Sequence, residues 1–332
     1  MTDSEPTSGD RPPGRPLVIA GMPRSGTSWT KQVLECDPHT YSIMEPDSEG
    51  HRPSAIWAKR QAGRFPVLSP GDHDDAYRRL WSWILEGARE SPRLQLAGKI
   101  HTVVKPAERK RYLQGGSSTK MSLAAALARN PDDRRNPALD GRRLLVKTVH
   151  APLSIEWLAS EFDIDVLVLL RHPGSILASW ISVDMNDQYV PFHDNPAVRR
   201  LAGEWDVPLP GSDHLERLIW QIGILLTGLE RAAAHHPDWT VRTHEQLCRQ
   251  PVQEFQRLYR DLDLQWSDAA AANLAGNDRP GTGFNTQRVA AELPDDWKQR
   301  LTAHQASELR RVLAGFPLST WTETDFRLAP DS

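Results

Sequence analysis

The stretch Gly21-Met22-Pro23-Arg24-Ser25-Gly26-Thr27-Ser28 stands between a short apolar run and a segment of helical character. The preceding run, Pro16-Leu17-Val18-Ile19-Ala20, is bounded by glycine and proline and predicts a buried strand. The spacing of the quoted stretch matches the phosphate-binding pattern G-x-x-x-x-G-K-[ST], except that Thr27 stands where the pattern has lysine. Such a loop turns backbone N–H groups inward, and the next helix adds the positive end of its dipole. The stretch therefore predicts an anion site.

The missing lysine indicates what kind of anion is bound. A nucleotide-splitting loop needs that lysine, and it needs an acidic residue at a strand end to help hold Mg²⁺. Here Thr27 replaces the lysine, and the strongest predicted strand, Ile164 to Leu170, is closed by Arg171. Arg24 adds a fixed cation within the loop, and Gly26 lets the backbone approach the anion. These features predict a ligand with a second anionic group, bound without a metal ion.

A second segment, Arg171-His172-Pro173-Gly174-Ser175-Ile176-Leu177-Ala178-Ser179, follows that strand. Arg171 leaves the carboxyl end of a buried parallel strand, where α/β folds bind their ligands. Ser179 lies in the helix after it, so its hydroxyl can point back at the same loop. A guanidinium and a hydroxyl make a good phosphate clamp. The alternative is that Arg171 is an ordinary surface arginine and Ser179 an ordinary helix serine. The presence of the phosphate loop makes this alternative less favoured.

The alternation of strands and helices predicts an α/β fold with a central parallel sheet covered on both faces. The longest predicted helix runs from Asp213 to Ala234, and its second face would suit a homodimer contact, a point that the sequence leaves open. Three stretches are expected to be irregular: 63–75, 106–140 and 186–211. The middle stretch is rich in cations, for which a solvated loop is favoured over a binding patch. Its cations are Arg109, Lys110, Arg111, Lys120, Arg129, Arg134 and Arg135.

Composition excludes several classes of protein. The 332 residues include 40 lysines and arginines and 43 acids, a net charge of −3, which argues against nucleic acid as the main partner. The two cysteines cannot form a disulfide framework and are not in zinc-binding spacing, so a reducing cytoplasm is expected. No apolar run reaches membrane length. Residues 1–15 are expected to be a disordered tail before one domain over 16–332.

Three motifs together resemble the sulfotransferase superfamily that uses 3′-phosphoadenosine 5′-phosphosulfate (PAPS). The run from Pro23 to Trp29 resembles that family's phosphosulfate loop, P-[KR]-S-G-T-[TS]-[WL]. Arg171, Pro173 and Ser179 resemble its 3′-phosphate motif R-x-P-x-x-x-x-x-S. The segment from Val241 to Pro251 resembles the later element V-x-Y-E-D-L-x-x-x-P. The resemblance implies a P-loop, nucleotide-kinase-like three-layer α/β/α fold with a central parallel sheet.

The resemblance also implies which residues hold PAPS and its product 3′,5′-ADP, with no metal required. His244 stands where the family usually has tyrosine, and Arg288 stands near the place of the R-K-G motif that this chain lacks. The residues implied in cofactor binding are Pro23, Arg24, Ser25, Gly26, Thr27, Ser28, Trp29, Arg171, Ser179, His244 and Arg288.

Two residues compete for the role of general base. Glu45 follows Arg24 by 21 positions, which matches the placement of the base in tyrosylprotein and heparan-type relatives. The cytosolic branch uses instead a histidine in a K-T-H-[LI]-P segment, and here His150 is displaced from that position by one residue. A slip of one residue on a strand reverses the facing, so Glu45 is favoured and His150 stays as the alternative. Lys147 resembles the lysine that contacts the transferring group, and Arg24 assists it.

The expected reaction is therefore transfer of a sulfuryl group from PAPS to a hydroxyl or amine, by in-line displacement with a general base. The expected acceptor is a small molecule, a glycolipid or a natural product of secondary metabolism. An atypical P-loop kinase or NTPase and a non-catalytic nucleotide-binding module remain as alternatives. Binding of 3′,5′-ADP, ADP and ATP, with and without Mg²⁺, separates the three.

Overall fold

A computed structural model describes residues 14–50, 52–60, 62–88, 91–113, 116–129, 136–185, 192–279, 290–321 and 325. Five strands form one sheet: β1 (Leu17–Gly21), β2 (Thr40–Met44), β3 (Arg143–Thr148), β4 (Asp165–Leu170) and β5 (Thr240–Thr243). The helices before β3 are α1 (Thr27–Leu34), α2 (Pro53–Lys59), α3 (Asp75–Leu85), α4 (Pro92–Val103), α5 (Pro106–Leu113) and α6 (Thr119–Ala128). Those after it are α7 (Ile155–Glu161), α8 (Pro173–Ser182), α9 (Pro196–Glu204), α10 (His214–His235), α11 (His244–Arg249), α12 (Pro251–Asp261), α13 (Asp268–Asn277), α14 (Trp297–Arg300) and α15 (Ala303–Leu313). Residues 1–13 and Arg288, for which the sequence makes predictions, lie outside the described residues.

The sheet has the order β2-β3-β1-β4-β5, and all four pairings are parallel. Ala20 of β1 is level with Thr148 of β3 on one side and with Val168 of β4 on the other. The carboxyl ends of these three strands therefore meet at one edge of the sheet. In open α/β folds, ligands bind at this edge where the strand order reverses.

Apolar side chains of the sheet alternate between two cores. Val18 and Ala20 belong to a core with α3, α7, α8 and α10, whereas Leu17 and Ile19 belong to a core with α1, α12 and α13. All five residues of β1 are buried, because helices cover both faces of the sheet. This confirms the predicted α/β fold with a parallel sheet between two helical layers.

Helix α10 begins within one residue of its predicted start. The Asp213 side chain accepts a hydrogen bond from Glu216 N at 2.8 Å and caps the helix. Every residue from Leu218 to Glu230 except Gln221 is buried, because α10 packs against β4, α7, α8 and α15. The second face suggested for a dimer is thus covered within the chain, and that suggestion is wrong for this helix.

The prediction that 106–140 is irregular is wrong. This stretch forms α5, α6 and a short 3₁₀ turn at Pro137–Leu139. Pro106 suits a first helical turn, and Ser118 caps α6 by accepting from Met121 N at 3.2 Å. Likewise Asn195 caps α9 inside the stretch 186–211 and accepts from Ala197 N at 3.0 Å. These local signals favour helix, although the charge of the stretches resembles that of loops. Between 63 and 74 no helix or strand forms, as predicted.

Two further features bear on the sheet and its helices. A turn follows β3, and α7 begins at Ile155. The edge strand β2 was not predicted from sequence, because its half-buried residues show no clear apolar run. Among the described residues, no helix combines the length and the apolar character needed to cross a membrane.

The close approach of α10 to the turn before α7 predicts a stability difference between two glycine substitutions. A Cβ at Gly228 would lie 2.6 Å from Leu153 Cδ2 and 3.0 Å from Pro152 O, whereas a Cβ at Gly203 on α9 meets nothing within 4 Å. We expect Gly228→Ala to lower the free energy of unfolding by about 1 to 3 kcal/mol through overpacking. Gly203→Ala should leave it unchanged or raise it by up to about 1 kcal/mol. Urea unfolding measures both, and equal effects would contradict the packing.

Candidate active site

The loop after β1 is shaped by two residues with left-handed backbone. Arg24 has φ 72° and Gly26 has φ 92°, and Ser25 N donates to Met22 O at 3.1 Å. Gly26 caps α1, which starts at Thr27. The first turn of a helix leaves backbone N–H groups without partners inside the helix, so the loop and α1 together favour an anion.

Three hydrogen bonds join this loop to Arg171 at the end of β4 and to the second half of α8. Arg24 Nε donates to Ser179 Oγ at 2.8 Å, and Arg171 Nη1 donates to Arg24 O at 2.7 Å. Trp180 Nε1 donates to Pro23 O at 3.0 Å. The two segments that the sequence singled out therefore form one surface, although they lie about 150 residues apart in the chain. Both arginines are side by side at the carboxyl edge of the sheet.

The rear of the loop is covered by α11. A Cβ at Gly26 would lie 2.1 Å from His244 Cδ2, so only glycine fits against this ring. The His244 ring is 3% exposed and contacts Trp29 edge to face at 5.8 Å. Burial, together with the charge of Arg171, lowers the pKa of His244 well below its usual value. The structure thus places a neutral His244 against the backbone of the loop.

Glu245 balances the charge of Arg171. The Glu245 carboxylate accepts from His172 N at 3.0 Å. Burial raises the pKa of Glu245, whereas the His172 N–H and the Arg171 cation lower it. Burial also lowers the pKa of Arg171, and Glu245 opposes that effect. The sequence analysis did not predict that Glu245 balances the charge of Arg171. The available signal was its place in the segment from Val241 to Pro251, which resembles a motif of the family.

Glu45 and Lys147 form an ion pair at the ends of β2 and β3. Glu45 N also donates to Lys147 O at 2.7 Å, and Glu45 has φ 43°, a left-handed conformation that is rare for glutamate. The Lys147 side chain is 3% exposed and the Glu45 side chain 19%. Burial lowers the pKa of Lys147, and Glu45 opposes this shift. The pair combines a proton acceptor with a buried cation at the same edge of the sheet as Arg24.

His150 lies in a different environment from Glu45. Its ring is 2% exposed and is stacked on Phe65 with ring centroids 5.8 Å apart. Burial, with the charges of Lys59 and Arg64, lowers the pKa of His150 well below its usual value. His150 N donates to Thr148 Oγ1 at 3.0 Å, so the residue lies past the end of β3. The geometry favours Glu45 over His150 as the group that can meet a ligand.

A buried carboxylate beside this pair was missed from the sequence. Asp47 is 0% exposed, and each of its oxygens accepts from Thr148 Oγ1 at 2.8 Å. Tyr77 OH donates to Asp47 Oδ2 at 3.3 Å, and Lys59 Nζ donates to Asp47 O at 2.7 Å. Asp47 therefore anchors the segment after Glu45 to β3, α2 and α3. The sequence carries no signal for Asp47, because the burial of its partners Lys59 and Thr148 appears only in the structure.

The titration of Asp47 predicts how stability depends on pH. Burial raises the pKa of Asp47 to about 6, although Lys59 and the Thr148 hydroxyl lower it. Between about pH 4 and pH 6 the native carboxyl holds a proton that the unfolded chain has lost, so its contribution to stability falls as pH rises. An asparagine side chain does not titrate in this range, so the Asp47→Asn variant lacks this loss of stability. We expect the unfolding free energy of Asp47→Asn, relative to wild type, to rise by up to about 3 kcal/mol from pH 4 to pH 7.

Urea unfolding at several pH values measures this difference. Asp238→Asn, at an exposed aspartate, serves as the control and should show little dependence. A difference for Asp47→Asn that stays constant across the window would contradict the raised pKa.

The described residues were also compared with the side-chain clusters that hold metal ions in proteins. In the part of the chain that the structure describes, no group of three histidine, cysteine or acidic side chains is arranged to hold a metal ion.

Comparison with solved structures gives matches of low sequence identity. A sulfotransferase domain from the curacin biosynthetic pathway is 14% identical, and the match covers 93% of this chain and 100% of that domain with a TM-score of 0.47. A sulfotransferase domain from the Synechococcus PCC 7002 olefin synthase is 13% identical, with coverage of 95% and 99% and a TM-score of 0.44. A sulfotransferase of Mycobacterium tuberculosis H37Rv is 14% identical, with coverage of 92% and 77% and a TM-score of 0.42.

No curated protein matches the sequence. A family model described as "Sulfotransferase family" matches residues 16–268, which include all three motifs and both candidate bases. The resemblance found in the motifs is thereby confirmed, and this chain belongs to the sulfotransferase family.

Proposed function

We propose that the protein transfers a sulfuryl group from PAPS to a hydroxyl or amine of an acceptor. The observation that carries this proposal is the contact between two anion-binding segments. Arg171 Nη1 donates a hydrogen bond to Arg24 O at 2.7 Å, and Arg24 Nε donates one to Ser179 Oγ at 2.8 Å. A ligand with two separate anionic groups matches two arginines and a helix N-terminus better than a ligand with one.

The polar atoms of this surface fit a doubly phosphorylated adenosine. Ser25 Oγ and Arg171 Nε are buried donors with no hydrogen-bond partner among the described residues. A buried donor without an acceptor is costly, and an anion supplies acceptors. In the proposal, the loop from Pro23 to Trp29, with the N-terminus of α1, holds the 5′-phosphosulfate. Arg171 and Ser179 hold the 3′-phosphate.

The residues around Glu45 can perform the acid–base part of the reaction. The bound donor supplies an activated sulfuryl group whose transfer leaves 3′,5′-ADP. Glu45 accepts the proton of the acceptor as the new bond to sulfur forms. Lys147 forms an ion pair with Glu45 and places a cation beside the transferring oxygens. Arg24 and the backbone N–H groups of the loop stabilise the charge that develops on the leaving phosphate.

The same residues take the place of a metal ion in this proposal. A Mg²⁺-dependent loop relies on a lysine in the loop and an acid at a strand end. Here Thr27 is buried at the start of α1, and the end of β4 carries Arg171. Arg171, together with Arg24 in the loop, neutralises the ligand directly. This arrangement favours sulfuryl transfer over the kinase alternative.

For the acceptor, we propose a chemical class. The family and the open edge of the sheet beside Glu45 suit a small molecule, a natural product or the headgroup of a glycolipid. Its nucleophilic atom must reach Glu45, which is partly exposed, and not His150, which is buried. We propose a hydroxyl or amine that enters beside β2.

Replacement of Glu45 tests the role of the base. We expect Glu45→Gln to lower kcat by at least about 100-fold, because the amide cannot take the acceptor proton. Binding of 3′,5′-ADP should change less than about 3-fold, since Glu45 does not touch that site. Turnover with a labelled sulfuryl donor and titration with 3′,5′-ADP measure the two effects.

Two variants serve as controls for that experiment. Glu254→Gln removes a glutamate of similar exposure from another ion pair, 2.5 Å from Arg257 on α12, and should keep turnover. His150→Gln should also keep most of it. If Glu45→Gln turns over normally and His150→Gln does not, the base is His150.

Removal of one hydroxyl tests the 3′-phosphate site. We expect Ser179→Ala to weaken binding of 3′,5′-ADP by about 10-fold, which is the value of one hydrogen bond to a charged group. Binding of 5′-AMP, which lacks that phosphate, should stay within about 3-fold of wild type. Ser182→Ala is the matched control, because Ser182 Oγ donates only to Ser179 O in its own helix, at 2.9 Å. An equal loss for both nucleotides would place Ser179 at the 5′ side instead.

A further inference from the structure

The helical layer formed by α4, α5 and α6 is strongly basic in a chain that is acidic as a whole. Residues 91–129 contain eight lysines and arginines and a single acid, Glu108. The Glu108 carboxylate accepts from Ser118 Oγ at 2.5 Å within the same layer. The basic residues are Arg93, Lys99, Lys105, Arg109, Lys110, Arg111, Lys120 and Arg129. Charge of one sign is therefore concentrated on this part of the surface, where the exposed cations are Arg93, Lys99, Lys105, Arg111, Lys120 and Arg129.

Helix α4 is apolar on two opposite faces. Its inner face carries Leu94 and Ala97, both of them buried, and the buried Val104 follows directly after the helix. Its outer face carries Leu96, Ile100 and Val103 at positions i, i+4 and i+7, where Leu96 is 49% and Val103 68% exposed. Lys99 is exposed on the same outer face. An exposed apolar patch on a helix that already packs its inner face marks a surface for a partner or a membrane.

Helix α6 repeats this arrangement and packs against α4. Met121, Ala124 and Ala128 are buried on its inner face. Leu123, at 51% exposure, and Lys120 lie on the outside. Three of the seven exposed large apolar residues found in the described part of the chain thus lie on these two neighbouring helices. We call the outer residues Arg93, Leu96, Lys99, Ile100, Val103, Lys120 and Leu123 the basic apolar face.

The chemistry of this face decides among possible partners. A second copy of the chain would bring the same cations together in a twofold contact, and like charges oppose that. Protein interfaces rely on exposed tryptophan and tyrosine as anchors, whereas this face presents leucine, isoleucine and valine among lysines and arginines. Aliphatic side chains with flanking cations are typical of helices that lie in the interface of an anionic membrane.

We propose that the basic apolar face binds the surface of a bilayer that contains anionic lipids. Leu96, Val103 and Leu123 insert between the headgroups, and the flanking cations contact the lipid phosphates. The helices lie on the surface, because no helix among the described residues is long and apolar enough to cross a bilayer.

The helices that carry this face contact the segment after the candidate base Glu45 at two points. His101 Nε2 of α4 lies 3.2 Å from Glu49 O, and Arg109 Nη1 of α5 donates to Gly50 O at 3.3 Å. Glu49 and Gly50 belong to the short segment that follows Glu45. A membrane-bound protein would thereby hold this segment close to the lipid surface, which suits an acceptor carried by the membrane. The membrane proposal itself does not depend on the sulfotransferase reaction.

Vesicle sedimentation with the full chain tests the proposal. We expect vesicles of phosphatidylcholine with about 30 mol% phosphatidylserine to bind at least about 10 times more protein than vesicles of phosphatidylcholine alone. Binding should fall steeply at about 0.5 M NaCl, because salt screens the attraction.

Two pairs of variants assign the binding to this face. Lys99→Glu with Lys120→Glu should abolish binding, and Arg199→Glu with Arg260→Glu, which changes the charge equally at exposed sites on α9 and α12, should keep it. Leu96→Ser with Val103→Ser should weaken binding by about 10-fold. Leu209→Ser with Val252→Ser removes apolar side chains of similar exposure elsewhere and should leave binding unchanged.

Three results would overturn the proposal. The first is the absence of binding to anionic vesicles at low salt. The second is an equal loss of binding for the test and control pairs, which would show a general effect of charge. The third is a dimer in sedimentation velocity that Leu96→Ser with Val103→Ser dissolves, which would assign this face to a second copy of the chain.

Discussion

The hydrogen bond from the Arg171 guanidinium to the Arg24 carbonyl is the contact on which the rest of the site depends. It joins the end of β4 to the loop after β1, and these strands are neighbours in register, with Gly21 level with Leu169. The left-handed backbone of Arg24 turns its own side chain towards Ser179 on α8. Without this contact, the two anion-binding segments would be separate loops. With it, they form one surface on which two charged groups of a single ligand can be bound.

Counter-charges inside the protein stabilise the buried cations of this site. Glu245 lies beneath Arg171, and Glu45 pairs with Lys147 at the next strand ends. Farther from the edge, Lys59 lies 3.0 Å from Glu49 Oε2 and also binds the backbone of Asp47. Buried charges without partners are costly, so Arg171, Lys147 and Lys59 each lie beside an acid. At the Lys147 pair the acid is the more exposed partner, so the Glu45 carboxylate faces the edge where the ligand binds.

Sequence patterns were sufficient for the parts of the fold with a strong local signal. The loop from Gly21 to Ser28, the strand that Arg171 closes and the cap at Asp213 all combine turn residues or caps with a clear apolar period. Helices α4 and α6 were not predicted, because they are apolar on two faces and show no amphipathic period. Asp47 was missed because an acid between Glu45 and Glu49 resembles a solvated turn. Its burial depends on Thr148, Tyr77 and Lys59, which come from three other elements.

Recognition of two phosphates by fixed cations is the basis of the proposed function, and nucleotide titration in the presence of EDTA tests it most directly. The predicted result is that 3′,5′-ADP binds to the wild-type protein at least about 100 times more tightly than 5′-ADP, with no change when Mg²⁺ replaces EDTA. Tight binding of ATP or ADP that requires Mg²⁺, with 3′,5′-ADP no better than either, would contradict it.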